Sequence, residues 1–107
     1  MAAMNITTEK FNELMNGDRP VLVDYWAPWC SYCRRITTAY DKVAEQYASA
    51  MDVVKINIDE EALLAEREQI EVIPTLVIYR NGKALGSVVA PESKAAIDAF
   101  IRETLQQ

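Results

Sequence analysis

Val21 to Trp26 is an almost unbroken run of β-branched and aromatic residues, and the apolar stretch Val53 to Ile58, interrupted by Lys55 and Asn57, predicts a second buried strand. Such runs are typical of strands that are buried on both faces of a sheet covered by helices. Between them, apolar residues recur at helical spacing from Ser31 onward, which predicts one long amphipathic helix. A strand, a long helix and a second strand predict a right-handed parallel crossover. The apolar positions of the helix are Ile36, Tyr40, Val43, Ala44 and Tyr47.

The segments on either side of this unit predict further alternation of strands and helices. A short apolar start at Met4 to Ile6 precedes a helix that Thr7 can cap through its hydroxyl. Residues 60–69 are rich in helix formers, and they predict a short helix in which Leu63 and Leu64 are buried.

The C-terminal part of the chain predicts a hairpin followed by a helix. Asn81-Gly82 lies between two apolar runs, 76–79 and 84–89, which is the sequence signature of two antiparallel strands joined by a tight turn. Ser93 can cap a last helix. The predicted order is β-α-β-α-β-α-β-β-α, in a single domain over residues 1–107. The apolar face of the last helix consists of Ile97, Phe100, Ile101 and Leu105.

Composition narrows the range of functions. The chain has 107 residues, of which 50% are hydrophobic and 25% charged, the balance of an ordinary globular protein. Its net charge of -5 argues against binding to nucleic acid or to an anionic membrane, since a protein binds these partners through clustered Lys and Arg side chains. The N-terminus has no signal-peptide pattern and no apolar run approaches ~18 residues, so we expect a cytoplasmic protein without membrane association.

Both cysteines lie in the hexapeptide Trp29-Cys30-Ser31-Tyr32-Cys33-Arg34. They are too close in sequence to hold distant parts of the chain together. A structural zinc site takes four ligands, and two cysteines with no histidine are too few, so we expect no metal within one chain. A metal cluster shared between two chains and an inert pair in the core remain alternatives.

The position of the pair favours a redox dithiol. On the first turn of a helix, residues three apart are separated by about 5 Å, which is within the Cα separation that a disulfide tolerates. Cys30 lies where unpaired N–H groups and the helix dipole favour an anion, so we expect a lowered pKa for its thiol. Cys33 lies one turn into the helix and should be more shielded from solvent.

Four motifs resemble the thioredoxin family in order and spacing: the run from Val21 to Cys30, the run from Lys55 to Asp59, Ile73-Pro74-Thr75-Leu76, and Asn81-Gly82. Together they span nearly the whole chain. The resemblance implies an α/β thioredoxin fold, with a central mixed five-stranded sheet flanked by four helices. It also implies a protein-disulfide reductase that works by thiol-disulfide exchange and needs no cofactor.

The resemblance also assigns roles to residues near the dithiol. Cys30 matches the nucleophile that attacks a client disulfide, and Cys33 matches the thiol that resolves the mixed disulfide. Asp24 matches a buried carboxylate that moves protons for the resolving cysteine, and burial in a strand should by itself raise the pKa of this group. Lys55, on the neighbouring strand, is its expected partner. A purely structural pairing of Asp24 with Lys55 is the alternative.

Three further residues are expected to form the client-binding surface. Pro74 matches a cis-proline that faces the dithiol, and Ile73 matches a residue whose backbone hydrogen-bonds to the bound client. Trp29 precedes an exposed helix start, so we expect its side chain on the surface beside Cys30.

The chain departs from the family pattern at four positions. Ser31 and Tyr32 replace the usual Gly-Pro, and because proline stiffens the first turn of a helix, we expect a reduction potential more oxidising than that of an ordinary thioredoxin. Both residues are also expected to contact the client; an exposed loop aromatic is the alternative for Tyr32. Thr38 replaces a proline that kinks the helix, so we expect a straighter helix. Ala90 replaces a glycine of the groove, where its methyl group should narrow the approach of a client or reductase.

These features favour a monomeric cytoplasmic reductase of disulfide-containing client proteins, recharged by a dithiol-donating reductase such as thioredoxin reductase. A disulfide oxidase, an isomerase or a glutaredoxin-like activity is an alternative that depends on the reduction potential. A redox-inert module that only binds partners is the alternative from another functional class.

Overall fold

The computed structural model describes residues 2–106, which form five strands and five helices. Within these residues, no helix combines the length and the hydropathy needed to cross a membrane. In chain order the elements are β1 (Met4–Asn5), α1 (Thr8–Met15), β2 (Val21–Trp26), α2 (Ser31–Arg35), α3 (Thr37–Gln46), β3 (Asp52–Asn57), α4 (Ala62–Arg67), β4 (Thr75–Arg80), β5 (Lys83–Val89) and α5 (Lys94–Leu105).

The strands form one mixed sheet in the order β1-β3-β2-β4-β5. β3 is parallel to both β1 and β2, as the predicted crossover requires, whereas β4 is antiparallel to β2 and to β5. The predicted five-stranded mixed sheet is therefore confirmed, with β2 at its centre.

β2 is buried on both faces, as its apolar run predicted. Val21, Val23 and Tyr25 pack with Phe11 of α1 on one face. Leu22 packs on the other face with a cluster contributed by α3 and α5. Because successive side chains of a strand point to opposite faces, Asp24 shares the face of Leu22. The buried carboxylate therefore lies on the side of the sheet that the cysteine-bearing helix covers.

The prediction of one long, straight helix after the cysteines is wrong, because the structure divides it at Ile36 into α2 and α3. Ile36 keeps a right-handed backbone conformation, but its ψ of 0° departs from the value of roughly −42° of a regular α-helix. The hydroxyl of Thr37 donates to the carbonyl of Cys33 at 3.3 Å, and such i to i−4 bonds bend helices. Replacing proline by Thr38 therefore does not produce a continuous helix, and residues 2–106 contain five helices instead of the four expected.

The short helix α4 is confirmed, but the predicted burial of Leu63 is wrong. Leu64 is 2% exposed, whereas the neighbouring Leu63 is 82% exposed. A helix of six residues presents only one narrow face to the core, and here Leu64 and Ala65 occupy it.

The turn and the caps that the sequence predicted are present. Asn81 and Gly82 both have positive φ, 54° and 77°, as a two-residue hairpin turn requires. The Ser93 hydroxyl accepts a hydrogen bond from the N–H of Ala96 and caps α5. Ile97 and Ile101 of this helix are buried in the core.

Candidate functional site

The two cysteines lie at the start of α2, just after the carboxyl end of β2. Cys30 has extended backbone geometry and acts as the N-cap, with its sulfur accepting a hydrogen bond from the N–H of Cys33 at 3.1 Å. The cysteines form a disulfide with a Cα separation of 5.3 Å, in agreement with the predicted spacing. The sulfur of Cys30 therefore faces a backbone donor that stabilises a thiolate.

The two cysteines differ in their access to solvent. Cys30 is 9% exposed and Cys33 is 3% exposed, so the prediction that Cys33 is the more shielded is confirmed. A client sulfur can reach Cys30 more readily than Cys33. The guanidinium of Arg34 donates a hydrogen bond to the carbonyl of Pro28 at 2.7 Å, and this bond attaches α2 to the loop that precedes Cys30.

Asp24 is a buried carboxylate with a strongly perturbed titration. Its side chain is 1% exposed, and burial raises its pKa from 3.8 to about 7, partly offset by the positive charge of Lys55. The raised pKa expected from the sequence is confirmed. Within residues 2–106, Asp24 Oδ1 has no hydrogen-bond partner.

Lys55 pairs with Asp24 in the register of β2 and β3, as expected. Its ammonium lies 4.5 Å from the centroid of the Trp26 ring, a cation–π arrangement. The lysine acts on Asp24 through space and keeps the pKa of the carboxyl from rising further.

Pro74 precedes β4 and follows Ile73 through a cis peptide bond, as the resemblance implied. Its carbonyl accepts a hydrogen bond from the N–H of Ala90 at 2.9 Å. Ala90 lies directly after β5 and has a φ of 46°, a left-handed conformation that disfavours residues with a Cβ. The structure therefore brings two of the predicted groove positions, Pro74 and Ala90, into direct contact.

Trp29 is 66% exposed, in agreement with the predicted surface position. Its indole N–H donates to both carboxylate oxygens of Asp59, at 3.2 and 3.0 Å. This role of Asp59 was not predicted from the sequence. A signal was present, because Asp59 follows β3, and the carboxyl ends of the parallel strands β2 and β3 meet at the same edge of the sheet.

The two residues between the cysteines have different environments. Ser31 is exposed at the first position of α2, whereas Tyr32 is half-buried. The hydroxyl of Tyr32 donates to the carbonyl of Pro91 at 3.2 Å, and the guanidinium carbon of Arg35 lies 5.7 Å from the centroid of its ring. Tyr32 thus connects α2 to the segment that follows β5, a contact that the sequence did not reveal.

Among the described residues, no group of three or more His, Cys, Asp or Glu side chains is arranged to hold a metal ion. The chemistry that the site can perform is that of its thiols, and Asp24, on the sheet face that the cysteine-bearing helix covers, has a pKa in the neutral range.

The sequence is similar to those of known proteins over nearly its whole length. A family model described as Thioredoxin matches residues 2–103. A thioredoxin of Porphyra purpurea is 38% identical over 104 residues, which cover 96% of this chain and 97% of the relative. A thioredoxin of Griffithsia pacifica is 40% identical over 92 residues, 86% of this chain and 84% of the relative. A thioredoxin of Pseudomonas aeruginosa is 36% identical over 99 residues, 92% of each chain.

Proposed function

The chain belongs to the thioredoxin family, and we propose that Cys30 attacks the disulfide of a client protein while Cys33 resolves the mixed disulfide. The protein is a dithiol-disulfide oxidoreductase that acts through this cysteine pair. The observation that supports these roles is that Cys30 is more exposed than Cys33. The attacking sulfur must contact a sulfur atom of another molecule, so the more exposed cysteine is the better candidate.

The reaction consists of two exchanges. In the first, a bond forms between Cys30 Sγ and one client sulfur, the client disulfide breaks, and its other sulfur leaves as a thiolate that takes up a proton. In the second, Cys33 Sγ loses its proton, attacks Cys30 Sγ and releases the remaining client sulfur as a thiolate. The client gains two electrons, and the protein is left with the Cys30–Cys33 disulfide.

Asp24 is the group proposed to take the proton from Cys33. A base works best when its pKa lies near the working pH, and the value of about 7 meets this condition. Its position on the face of β2 that α3 covers supports the role, since Ile36, three residues after Cys33, packs on the same face. Lys55 tunes this group by its charge.

The client chain is proposed to lie across Ile73, Pro74 and Ala90, with Trp29 on the other side of Cys30. Ile73 lies outside the paired register of β4, which begins at Thr75 opposite Val89, and this supports the proposal that its backbone pairs with an extended client. The exposed indole of Trp29, fixed by Asp59, offers an apolar contact.

The cellular setting is also part of the proposal. We infer a monomeric cytoplasmic protein that acts as a single domain and reduces client disulfides. A dithiol-donating reductase then reduces its Cys30–Cys33 disulfide again. Ala90 occupies the place of a family glycine, so a standard thioredoxin reductase is expected to recharge it less efficiently than an ordinary thioredoxin.

Insulin reduction driven by dithiothreitol tests the function directly. The wild-type protein should accelerate precipitation of the reduced insulin chains, and Cys30→Ser should fall to the rate with dithiothreitol alone. Ser49→Ala changes an exposed residue in the turn after α3 and controls for effects of mutagenesis and purification. Equal rates for wild type and Cys30→Ser would instead support a redox-inert binding module, and a redox titration against glutathione separates a reductase from an oxidase or isomerase.

A further inference from the structure

Tyr32 links the active-site helix to the segment after β5. The residue lies within the four-residue ring closed by the Cys30–Cys33 disulfide. Its half-buried ring packs against the core cluster that contains Ile36 and Ile97, and its hydroxyl donates to the carbonyl of Pro91 at 3.2 Å. Both parts of the side chain are therefore engaged, although the residue is at the exposed end of a short helix.

The segment that Tyr32 holds is also attached on its other side. The N–H of Ala90 donates to the carbonyl of Pro74 at 2.9 Å, and Pro91 is buried. Ala90 keeps a positive φ of 46°, a conformation that a residue with a Cβ adopts only when its surroundings impose it. The hydrogen bonds of the Ala90 N–H and of the Pro91 carbonyl hold the backbone on both sides of this φ.

We propose that Tyr32 is a positioning residue for client recognition, which holds the Ala90–Pro91 wall of the client groove against α2 through its hydroxyl. This inference rests on the proposed function. The residue acts on the wall of the groove and leaves the sulfur of Cys30 unchanged. It therefore affects clients that fill the groove and has no effect on disulfides too small to reach it.

Tyr32→Phe is the appropriate perturbation, because it keeps the ring in the core cluster and removes only the hydroxyl. Tyr47→Phe is the matched control, since Tyr47 is a half-buried tyrosine at the far end of α3. Two substrates are compared, the protein disulfides of insulin and the small disulfide cystamine, with the dithiol kept reduced by dithiothreitol.

Tyr32→Phe should raise KM for insulin about fivefold, the factor that a typical net hydrogen bond contributes, with kcat changed less than about twofold. The rate with cystamine should stay the same, and Tyr47→Phe should match the wild type on both substrates. Hydrogen exchange of the Ala90 amide, followed by NMR, should become about fivefold faster in Tyr32→Phe alone.

Unchanged KM for insulin together with unchanged exchange at Ala90 would overturn the positioning role. An equal loss of rate on insulin and cystamine would also overturn it, because it would place the effect on the thiol itself. Failure of the wild-type protein on both substrates would contradict the proposed function instead, so the two failures are distinguishable.

Discussion

Asp24→Asn should stabilise the oxidised protein, and the gain should grow as the pH rises. In the unfolded chain the carboxyl has its ordinary pKa of 3.8, but in the folded protein burial raises the pKa to about 7. The folded state therefore holds a proton that the unfolded state has already lost. Between these two values the stability contributed by this group falls as pH increases, and the loss is complete above the folded pKa.

The magnitude follows from the size of the shift. A rise of roughly three pKa units, at ~1.4 kcal/mol per unit, makes the ionised Asp24 cost about 4 kcal/mol of folding free energy above pH 8. The amide that the substitution introduces is also buried without an obvious partner, which costs ~1–2 kcal/mol at every pH. We therefore expect a net gain of about 2–3 kcal/mol at pH 8 and a small loss near pH 4.

Urea unfolding of the oxidised protein between pH 4 and pH 9 measures this effect without interference from thiol titration. The difference in free energy of unfolding between Asp24→Asn and wild type should rise by about 4 kcal/mol over this range, mostly between pH 4 and pH 7. Asp18→Asn, in the exposed turn after α1, controls for the change in net charge. A difference that stays constant with pH would refute the raised pKa.

Three further variants test the backbone at Ala90, the buried tyrosine pair and the residues between the cysteines. Ala90→Gly should stabilise the fold by ~0.5–1 kcal/mol in urea unfolding, because the left-handed φ of 46° disfavours a Cβ; a loss of stability would contradict this. Tyr79→Phe should destabilise it by ~1–3 kcal/mol, since it removes the partner of the buried Tyr25 hydroxyl at 2.8 Å, and an unchanged midpoint would be inconsistent with that bond. Restoring Gly-Pro at Ser31 and Tyr32 should lower the reduction potential by roughly 10–20 mV in equilibration with glutathione, whereas an equal or higher potential would disprove the expected oxidising shift.

Local patterns in the sequence were sufficient to predict most of the fold. The apolar run of β2 and the Asn81-Gly82 turn each depend on residues close together in the chain, and both are confirmed. The apolar spacing after Ser31 correctly indicated helix, but not its division into α2 and α3. The break at Ile36 was missed because it involves a single hydroxyl, that of Thr37, whose competing hydrogen bond leaves the apolar periodicity intact.

The site was only partly accessible from sequence. The two cysteines lie within one helical turn, and Asp24 lies within an apolar strand, so each feature is visible in a short segment of sequence. The redox pair and the raised pKa of Asp24 could therefore be predicted. The contacts of Tyr32 with Pro91 and of Trp29 with Asp59 join residues 59 and 30 positions apart. They depend on how separate elements pack, which periodicity and propensity do not specify.

Trapping of the mixed disulfide shows which cysteine attacks the client disulfide. Reduced Cys33→Ser and Cys30→Ser variants are incubated with a disulfide-containing protein such as insulin, quenched in acid and analysed by peptide mass spectrometry. We predict that Cys33→Ser accumulates a covalent adduct at Cys30, because the resolving thiol is missing, and that Cys30→Ser accumulates almost none. Equal or greater trapping at Cys33 in the Cys30→Ser variant would contradict the assignment of Cys30 as the attacking residue.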